Sequence, residues 1–390
     1  MSMNVISTAA RQYANRPKDE RFESVEAMIQ DAAHQKAHCA EKTYNAKDLR
    51  AIVQGEGDQA TVMLSSPKGA ANLTHWSFGQ LARVVGAPAG YLRDLPPQLA
   101  ADCLNHGLRE TEAGTDLQLL VQRANGIPQP TIRACTTDSY TRVWDSDIYG
   151  PIADTLMRYD RRWMLPPTWS GEPAGAYRSD RDSFLIIVNG GSIVQDPSLT
   201  GRVYSPSAPT QGAANEDRGI DPSGLYRGLI IRNSEVGAAG ITIDQILFRY
   251  VCGNHMLWGA VIGKQFRRRH VGKADRATFR EIQDIAFNWT NHSAGRDEQL
   301  IKHMIDRQIA TTKEGVIDEL KRLGYTKQQA EQAYTTCEDS ENALSPRSFW
   351  GIVQGTTRMS QKSGYQDERY ALDKLASEVM QKAAKQYATV

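Results

Sequence analysis

The residues with the clearest chemical potential form a basic run, Lys264-Gln-Phe-Arg-Arg-Arg-His270. Between Lys264 and Arg280 the chain holds seven lysines and arginines against one acid, Asp275. Such a local positive field typically meets a phosphate backbone, where each neutralised phosphate releases counterions. The run therefore predicts a nucleic-acid contact, although a solvated helix end, or a patch paired with acids elsewhere, has the same composition.

Aromatic side chains accompany these cations: Tyr250 shortly precedes the run and Phe266 lies within it. Cations that hold phosphates, interleaved with rings on which bases stack, are what the binding of a single strand requires. Strand alternation places Arg249 and Tyr250 on opposite faces, of which one must be core. We expect nucleic-acid contacts from Lys264, Phe266, Arg267, Arg268, Arg269, His270, Lys273, Arg276, Arg249 and Tyr250.

The most enzyme-like arrangement is Cys252-Gly-Asn-His255, with a thiol and an imidazole three residues apart. The pair suits a nucleophile with its base, or two zinc ligands. Structural zinc needs about four ligands, however, and the sequence has no second Cys/His pair at ligand spacing. A buried thiol at a strand end is the favoured interpretation. We predict no catalytic residue, metal or cofactor, with a cysteine- or metal-dependent enzyme as the alternative.

Motifs of several large enzyme classes are absent from the sequence. It contains no GxxxxGKS/T phosphate loop, no GxGxxG after a strand, no HExxH and no GxSxG. ATP-driven motors and classical dehydrogenases are therefore disfavoured. Isolated aspartate pairs such as Asp180 and Asp182 are typical of turns and caps rather than of metal sites.

The hydrophobic pattern predicts an α+β fold. A central antiparallel sheet is expected at roughly 117–252, with its strongest hairpin at 225–233 and 240–252. A packed N-terminal helical hairpin is expected at 74–109, and a long C-terminal helical region from Ala277 onward. Alternating βαβ units are absent, which disfavours a doubly wound parallel sheet.

Finer assignments follow from the same pattern. Residues 51–53 and 61–64 predict a hairpin, 140–144 a short strand, 196–224 a long loop rich in proline and glycine, and 254–262 a helix or coil. The expected regions are a polar arm and helix at 1–45, an α+β core at 46–276 and a helical region at 277–390.

Composition places the chain among ordinary globular proteins. Its 390 residues carry 46 lysines and arginines against 45 acids, a net charge of +1, which argues against a wholly basic, histone-like surface. Five scattered cysteines suit free thiols in a reducing compartment. No stretch approaches the ~20 apolar residues that cross a bilayer, and the N-terminus has no signal-peptide core. We expect a cytoplasmic protein without a membrane partner.

Parts of the sequence resemble a known family. Residues 251–260, Val-Cys-Gly-Asn-His-Met-Leu-Trp-Gly-Ala, and the basic stretch 266–270 are similar to the R-x-V-C-x-N-x-L … R-H core of the phage/plasmid-like proteins. His255 and Met256 depart from that pattern. The similarity extends over about 75–380 through Gln80, Leu81, Tyr91, Leu92, Asn105, Tyr140, Tyr149, Pro151, Ile152, Trp350, Thr356 and Arg358. It implies a mobile-element protein of unsettled biochemical role in a bacterial cytoplasm, acting in DNA metabolism.

These features predict a protein that binds or anneals single-stranded DNA in recombination or replication. Annealing favours a homo-oligomer, because one subunit covers only a few nucleotides. A further alternative is an interaction protein that counters host defence, with the N-terminal arm and the 196–224 loop as contacts. Stoichiometric metal or a reactive Cys252 would favour the enzyme, and capture of a host protein after nuclease treatment would favour the interaction protein.

Overall fold

The computed structural model describes residues 16–123, 129–158, 160–166, 173–198, 224–249, 254–257, 266–268, 276–338 and 344–388. These residues form eleven α-helices and fourteen strands in two sheets, with a long helical region at the C-terminal end. The predicted α+β class, with a central antiparallel sheet, is confirmed. The predicted domain boundaries stay a prediction.

Three long antiparallel strands form the centre of the larger sheet: β10 (Ser183–Gln195), β11 (Gly224–Asn233) and β12 (Ile241–Arg249). Their apolar runs are buried on both faces, which is typical of a sheet that is covered on both sides. The predicted β11–β12 hairpin is confirmed, with Arg227 opposite Leu247. Short strands complete the sheet: β1 (Glu20–Phe22), β8 (Trp163–Met164), β9 (Ala176–Arg178), β13 (Asn254–Leu257) and β14 (Phe266–Arg268).

A second, six-stranded sheet contains β2 (Cys39–Asn45), β3 (Arg50–Gln54), β4 (Thr61–Ser66), β5 (Gly69–Leu73), β6 (Asp116–Gln122) and β7 (Thr131–Thr137). In the order β2-β6-β7-β5-β4-β3, the β5–β7 pair is parallel and the other pairs are antiparallel. The β3–β4 hairpin was predicted. The assignment of β6 and β7 to the central sheet was wrong, because they pair with strands from the N-terminal part of the chain. Local periodicity does not reveal a pairing such as Leu73 with Ile132.

Three helices cover one face of the six-stranded sheet: α2 (His75–Val84), α3 (Ala89–Asp94) and α4 (Pro97–Glu110). Thr74 caps α2, because its hydroxyl accepts the Ser77 amide in a capping box. Leu81, Leu104 and the strand residue Leu119 belong to one apolar cluster. The predicted helical hairpin is therefore confirmed as a packed element.

The C-terminal region consists of α6 (Arg276–Thr290), α7 (Ala294–Asp306), α8 (Lys313–Arg322), α9 (Lys327–Glu338), α10 (Phe349–Ser360) and α11 (Gln366–Ala388). Helix α10 is buried along almost its whole length. A Cβ at Gly355 would collide with the Ala333 carbonyl of α9, so the two helix backbones approach closely here. Trp350 and Ile352 of α10 belong to the same apolar cluster as Leu247 of β12. Helix α10 therefore helps to cover one face of the larger sheet.

Two local predictions were wrong. Residues 140–144 form no strand and instead lead into α5 (Asp145–Ile152), which packs against α1 (Val25–Ala37). Residues 254–257 form β13 rather than helix or coil, because Met256 and Leu257 are buried beside β12. The predicted 196–224 loop lies almost entirely outside the described residues.

A buried carboxylate joins the two sheets. Glu235, in the turn between β11 and β12, is 2% exposed and pairs with Arg133 of β7 at 2.7 Å. Its other oxygen accepts the Asp145 amide at 3.0 Å. Burial, followed by the nearby Asp145 charge, raises the pKa of Glu235. The next residue, Val236, accepts hydrogen bonds from Trp76 and Gln80 of α2 at 3.0 and 2.7 Å.

Arg178 and Asp145 extend this junction into the larger sheet. The Arg178 Nε lies 3.1 Å from Asp145 Oδ2. The other Asp145 oxygen accepts the Ser183 hydroxyl at 2.7 Å and the Asn233 amide at 2.8 Å. Because each charge has partners, the desolvation of these ions is compensated.

Glu235→Gln should lower the free energy of unfolding by about 3–5 kcal/mol, because Arg133 loses its buried counter-charge. Glu331→Gln is the matched control: Glu331 pairs with Lys327 at 3.8 Å and both side chains are exposed, so we expect a loss under about 1 kcal/mol. Urea denaturation of both variants measures the difference. Similar small losses in the two variants would contradict the role of Glu235.

A second buried carboxylate lies within the helical region. Asp373 of α11 is fully buried close to Ser360 of α10. Burial raises the pKa of Asp373 to about 8, against the smaller opposing effect of Ser360. The folded protein therefore keeps a proton that the unfolded chain releases above about pH 4.

Between about pH 4 and pH 8, stability should fall by roughly 1.4 kcal/mol per pH unit through Asp373, because the unfolded state binds fewer protons there. Asp373→Asn removes this dependence. The free energy of unfolding of the variant, minus that of the wild type, should therefore be larger at pH 8 than at pH 5. Urea titrations at the two pH values check the sign. A difference between the two proteins that does not change with pH would refute the assignment.

Candidate nucleic-acid interface

The basic run begins on a strand of the larger sheet. Strand β14 is antiparallel to the start of β12, with Phe266 opposite Ile243 and Arg267 opposite Thr242. Arg268 completes this strand, and Arg276 is the first residue of α6. The remaining expected contacts, Lys264, Arg269, His270, Lys273 and Tyr250, lie outside the described residues.

Alternation along β14 gives its first two side chains different surroundings. Phe266 is half-buried and packs against the large apolar cluster, whereas Arg267 is exposed. Phe266 thus anchors the strand to the interior, which leaves only part of its ring for the expected stacking. Arg267 is the member of the run whose side chain the structure places toward solvent.

Further cations lie near Arg267. Lys374 of α11 sits 4.3 Å above the ring of Tyr370, whose hydroxyl donates to the buried Asp244. Burial lowers the pKa of Lys374, and the positive charges of Arg267 and Arg232 lower it further. Burial raises the pKa of Asp244, and the hydrogen bond from Tyr370 and the charges of Arg267 and Lys374 oppose that shift. Arg267, Lys374 and Arg232 therefore lie close together beside the acid Asp244.

Arg249 has a different role from the one expected. It is 1% exposed, donates to Gln354 of α10 at 2.7 Å, and lies 3.4 Å from Asp196. Helix α10 covers this face of β12, while the opposite face, with Phe248, is buried as well. The interpretation of Arg249 as a phosphate contact was wrong, because its guanidinium belongs to an interior ion pair.

A cationic surface that sequence reasoning missed lies on the six-stranded sheet. A groove of about 530 Å³ opens on the sheet face that α2 to α4 cover elsewhere. Its floor includes Leu119 and Ile132, and its rim carries Lys42, Lys68 and Arg123. We call this feature the cationic groove.

The register explains how the cationic groove forms. Lys42 lies opposite Leu119, and Tyr44 lies opposite Leu117, so both share the apolar face of the sheet. Glu41 points to the other face, where it pairs with Arg142. The alternation of β2 thus separates the acid from the base.

The three rim cations are exposed and have no counter-charge among the described residues. Lys42, Lys68 and Arg123 form no side-chain hydrogen bond or ion pair with another described residue, and no Asp or Glu lines the cationic groove. Half-buried Tyr44 adds an aromatic surface, while Gly69 and Ala70 leave the β5 backbone accessible. The groove therefore combines positive charge with an apolar floor.

The sequence raised the possibility of cysteine chemistry at Cys252 and His255. Cys252 lies outside the described residues, and of His255 only the backbone pairing with Phe248 is described. Cys39 lines the cationic groove, but burial raises the pKa of its thiol, which disfavours a reactive thiolate. Among the described residues, no three His, Cys, Asp or Glu side chains are grouped as metal ligands.

Comparisons with known proteins place the chain in no family. No protein-family model, curated protein or solved structure matches it. None of the described helices is both long and apolar enough to span a bilayer.

Proposed function

We propose that this protein binds single-stranded nucleic acid, most favourably DNA, without catalysing a reaction on it. The observation that carries the proposal is the cationic groove, where three cations without an ion-pair partner among the described residues lie above an apolar floor, and no described carboxylate lines it. Lys42, Lys68 and Arg123 would hold phosphates, and the floor and Tyr44 would accept unstacked bases.

Whether its bases are paired decides which nucleic acid fits the cationic groove. In a duplex the bases are stacked and paired, so only phosphates would reach the rim of the groove. A single strand can turn its bases toward Leu119 and Ile132 while its phosphates stay near the rim. The groove chemistry therefore favours single strands over duplexes.

The basic run supplies a second contact in this proposal. Strand β14 pairs with the first residues of β12, directly after the turn that joins the larger sheet to the six-stranded sheet. Exposed Arg267, with Lys374 near it, would be a separate contact for a strand long enough to reach beyond the groove. Protection or annealing in recombination or replication would use several copies of the protein along one strand.

The triple variant Lys42→Gln, Lys68→Gln, Arg123→Gln tests the groove. Fluorescence anisotropy with a labelled oligothymidine should show binding at least about tenfold weaker at 0.1 M salt, since phosphate contacts are lost. The slope of log K against log salt should fall in magnitude by about 2, near 0.7 for each lost phosphate contact of a single strand.

A matched control removes the same charge elsewhere on the six-stranded sheet and its helices, through Lys47→Gln, Arg50→Gln and Arg109→Gln. We expect this control to bind nearly as the wild type does. If both triple variants weaken binding equally, the effect reflects net charge and the groove is not the site.

The variant Arg267→Ala, Arg268→Ala, Arg269→Ala tests the second contact. Affinity should fall and the salt slope should again become shallower, because the run would lose phosphate contacts. Gel-shift titration with an oligonucleotide too long for the groove measures the change. Equal binding by the wild type and this variant would remove the run from the interface.

A further inference from the structure

A second cavity, of about 780 Å³, lies against the larger sheet, and its chemistry differs from that of the cationic groove. Its walls come from the π-helical turn Ala153–Met157 that continues α5, from residues 160–163, from residues 189–192 of β10 and from one face of α6. The volume lies within the range of small-molecule sites.

Two of these walls are irregular. The β10–β11 register changes from Val188 opposite Gly228 to Ile193 opposite Tyr226, so four residues of β10 oppose Arg227 alone. Bulges of this kind, and π-helical turns, are over-represented at functional sites. Both the β10 bulge and the π-helical turn line this cavity, which makes it a candidate ligand site.

The bulge is held by buried polar contacts. Asn189 is 1% exposed, accepts the Gly191 amide at 2.9 Å and donates to Asp160 at 3.2 Å. A Cβ at Gly191 would come within 2.6 Å of the Arg162 side chain, so glycine allows that arginine to lie across the bulge. The wall is therefore ordered before any ligand arrives.

The charges of the lining disfavour an anion. Asp160 accepts two hydrogen bonds from Arg162, at 2.9 and 3.0 Å, and these two charges cancel. Among the described lining residues Asp284 is the remaining charged group, so this part of the lining carries a net negative charge. A phosphate backbone does not suit such a wall.

The uncommitted groups suit a neutral hydroxylated ligand. Thr155, Gln283 and Asp284 make no side-chain hydrogen bond with another described residue, and between them they offer both donors and acceptors. Phe287 on α6 also lines the cavity and is 69% exposed, although it is a large apolar ring. Such a ring provides a flat face for the C–H side of a sugar.

We propose that this cavity binds a neutral saccharide of one or two rings. The sugar hydroxyls meet Thr155, Gln283 and Asp284, and one sugar face stacks on Phe287. The net negative charge of the described lining disfavours a nucleotide, whose phosphate would meet Asp284, and leaves a neutral sugar as the favoured ligand. This proposal is independent of nucleic-acid binding, because the two sites share no lining residue.

Saturation-transfer NMR on the full chain tests the site, with N-acetylglucosamine, maltose and cellobiose as probes up to about 10 mM, and adenosine and uridine for comparison. At least one saccharide should give a signal. Phe287→Ala and Asp284→Ala should weaken it by about fivefold or more, the scale of one lost stacking or hydrogen-bond contact.

Two control variants match these changes. Tyr91→Ala removes a 62% exposed ring from α3, and Glu281→Ala removes an exposed acid from α6 outside the cavity lining. Both should keep the saccharide signal, and circular dichroism verifies that all four variants fold. No signal from any saccharide, signals from the nucleosides only, or a signal unchanged by Phe287→Ala would each overturn the proposal.

Discussion

The fold depends on keeping the buried Glu235 carboxylate compensated where the two sheets meet. A charge that leaves water needs a partner of opposite sign and further hydrogen bonds, and Arg133 and the Asp145 amide provide them from two different parts of the chain. The β11–β12 turn must therefore dock against β7 and α2. This same contact sets the position of β7, whose Ile132 forms part of the floor of the cationic groove.

Arginine serves the interior of this protein as much as its surface. Arg227 pairs with Asp297 at 2.7 Å and lies 4.4 Å from the Trp289 ring centre, while Arg178 pairs with Asp145. Guanidinium suits such sites because its planar fork donates in several directions and stacks on rings. The number of cations in a stretch of sequence therefore does not show which of them are exposed: Arg249, for example, is buried in an ion pair with Asp196.

The two concave surfaces differ in the charge left over after pairing. In the cationic groove, three cations have no counter-charge in the lining, so the field extends to solvent. In the cavity at the bulge, Arg162 is neutralised by Asp160 and one acid remains. A single chain of nearly zero net charge thus presents one surface suited to polyanions and another suited to neutral polar ligands.

Local patterns in the sequence were enough for the α+β class, the β11–β12 and β3–β4 hairpins and the helical regions, because these depend on neighbours in the chain. Local patterns could not predict the pairing of strands that are distant in the sequence. The β5–β7 contact and the separation into two sheets depend on which apolar faces are buried together. The cationic groove shows the same limit. Lys42, Lys68 and Arg123 are scattered in sequence, and only the register of the folded sheet, which turns their side chains to one face and Glu41 to the other, brings their charges together.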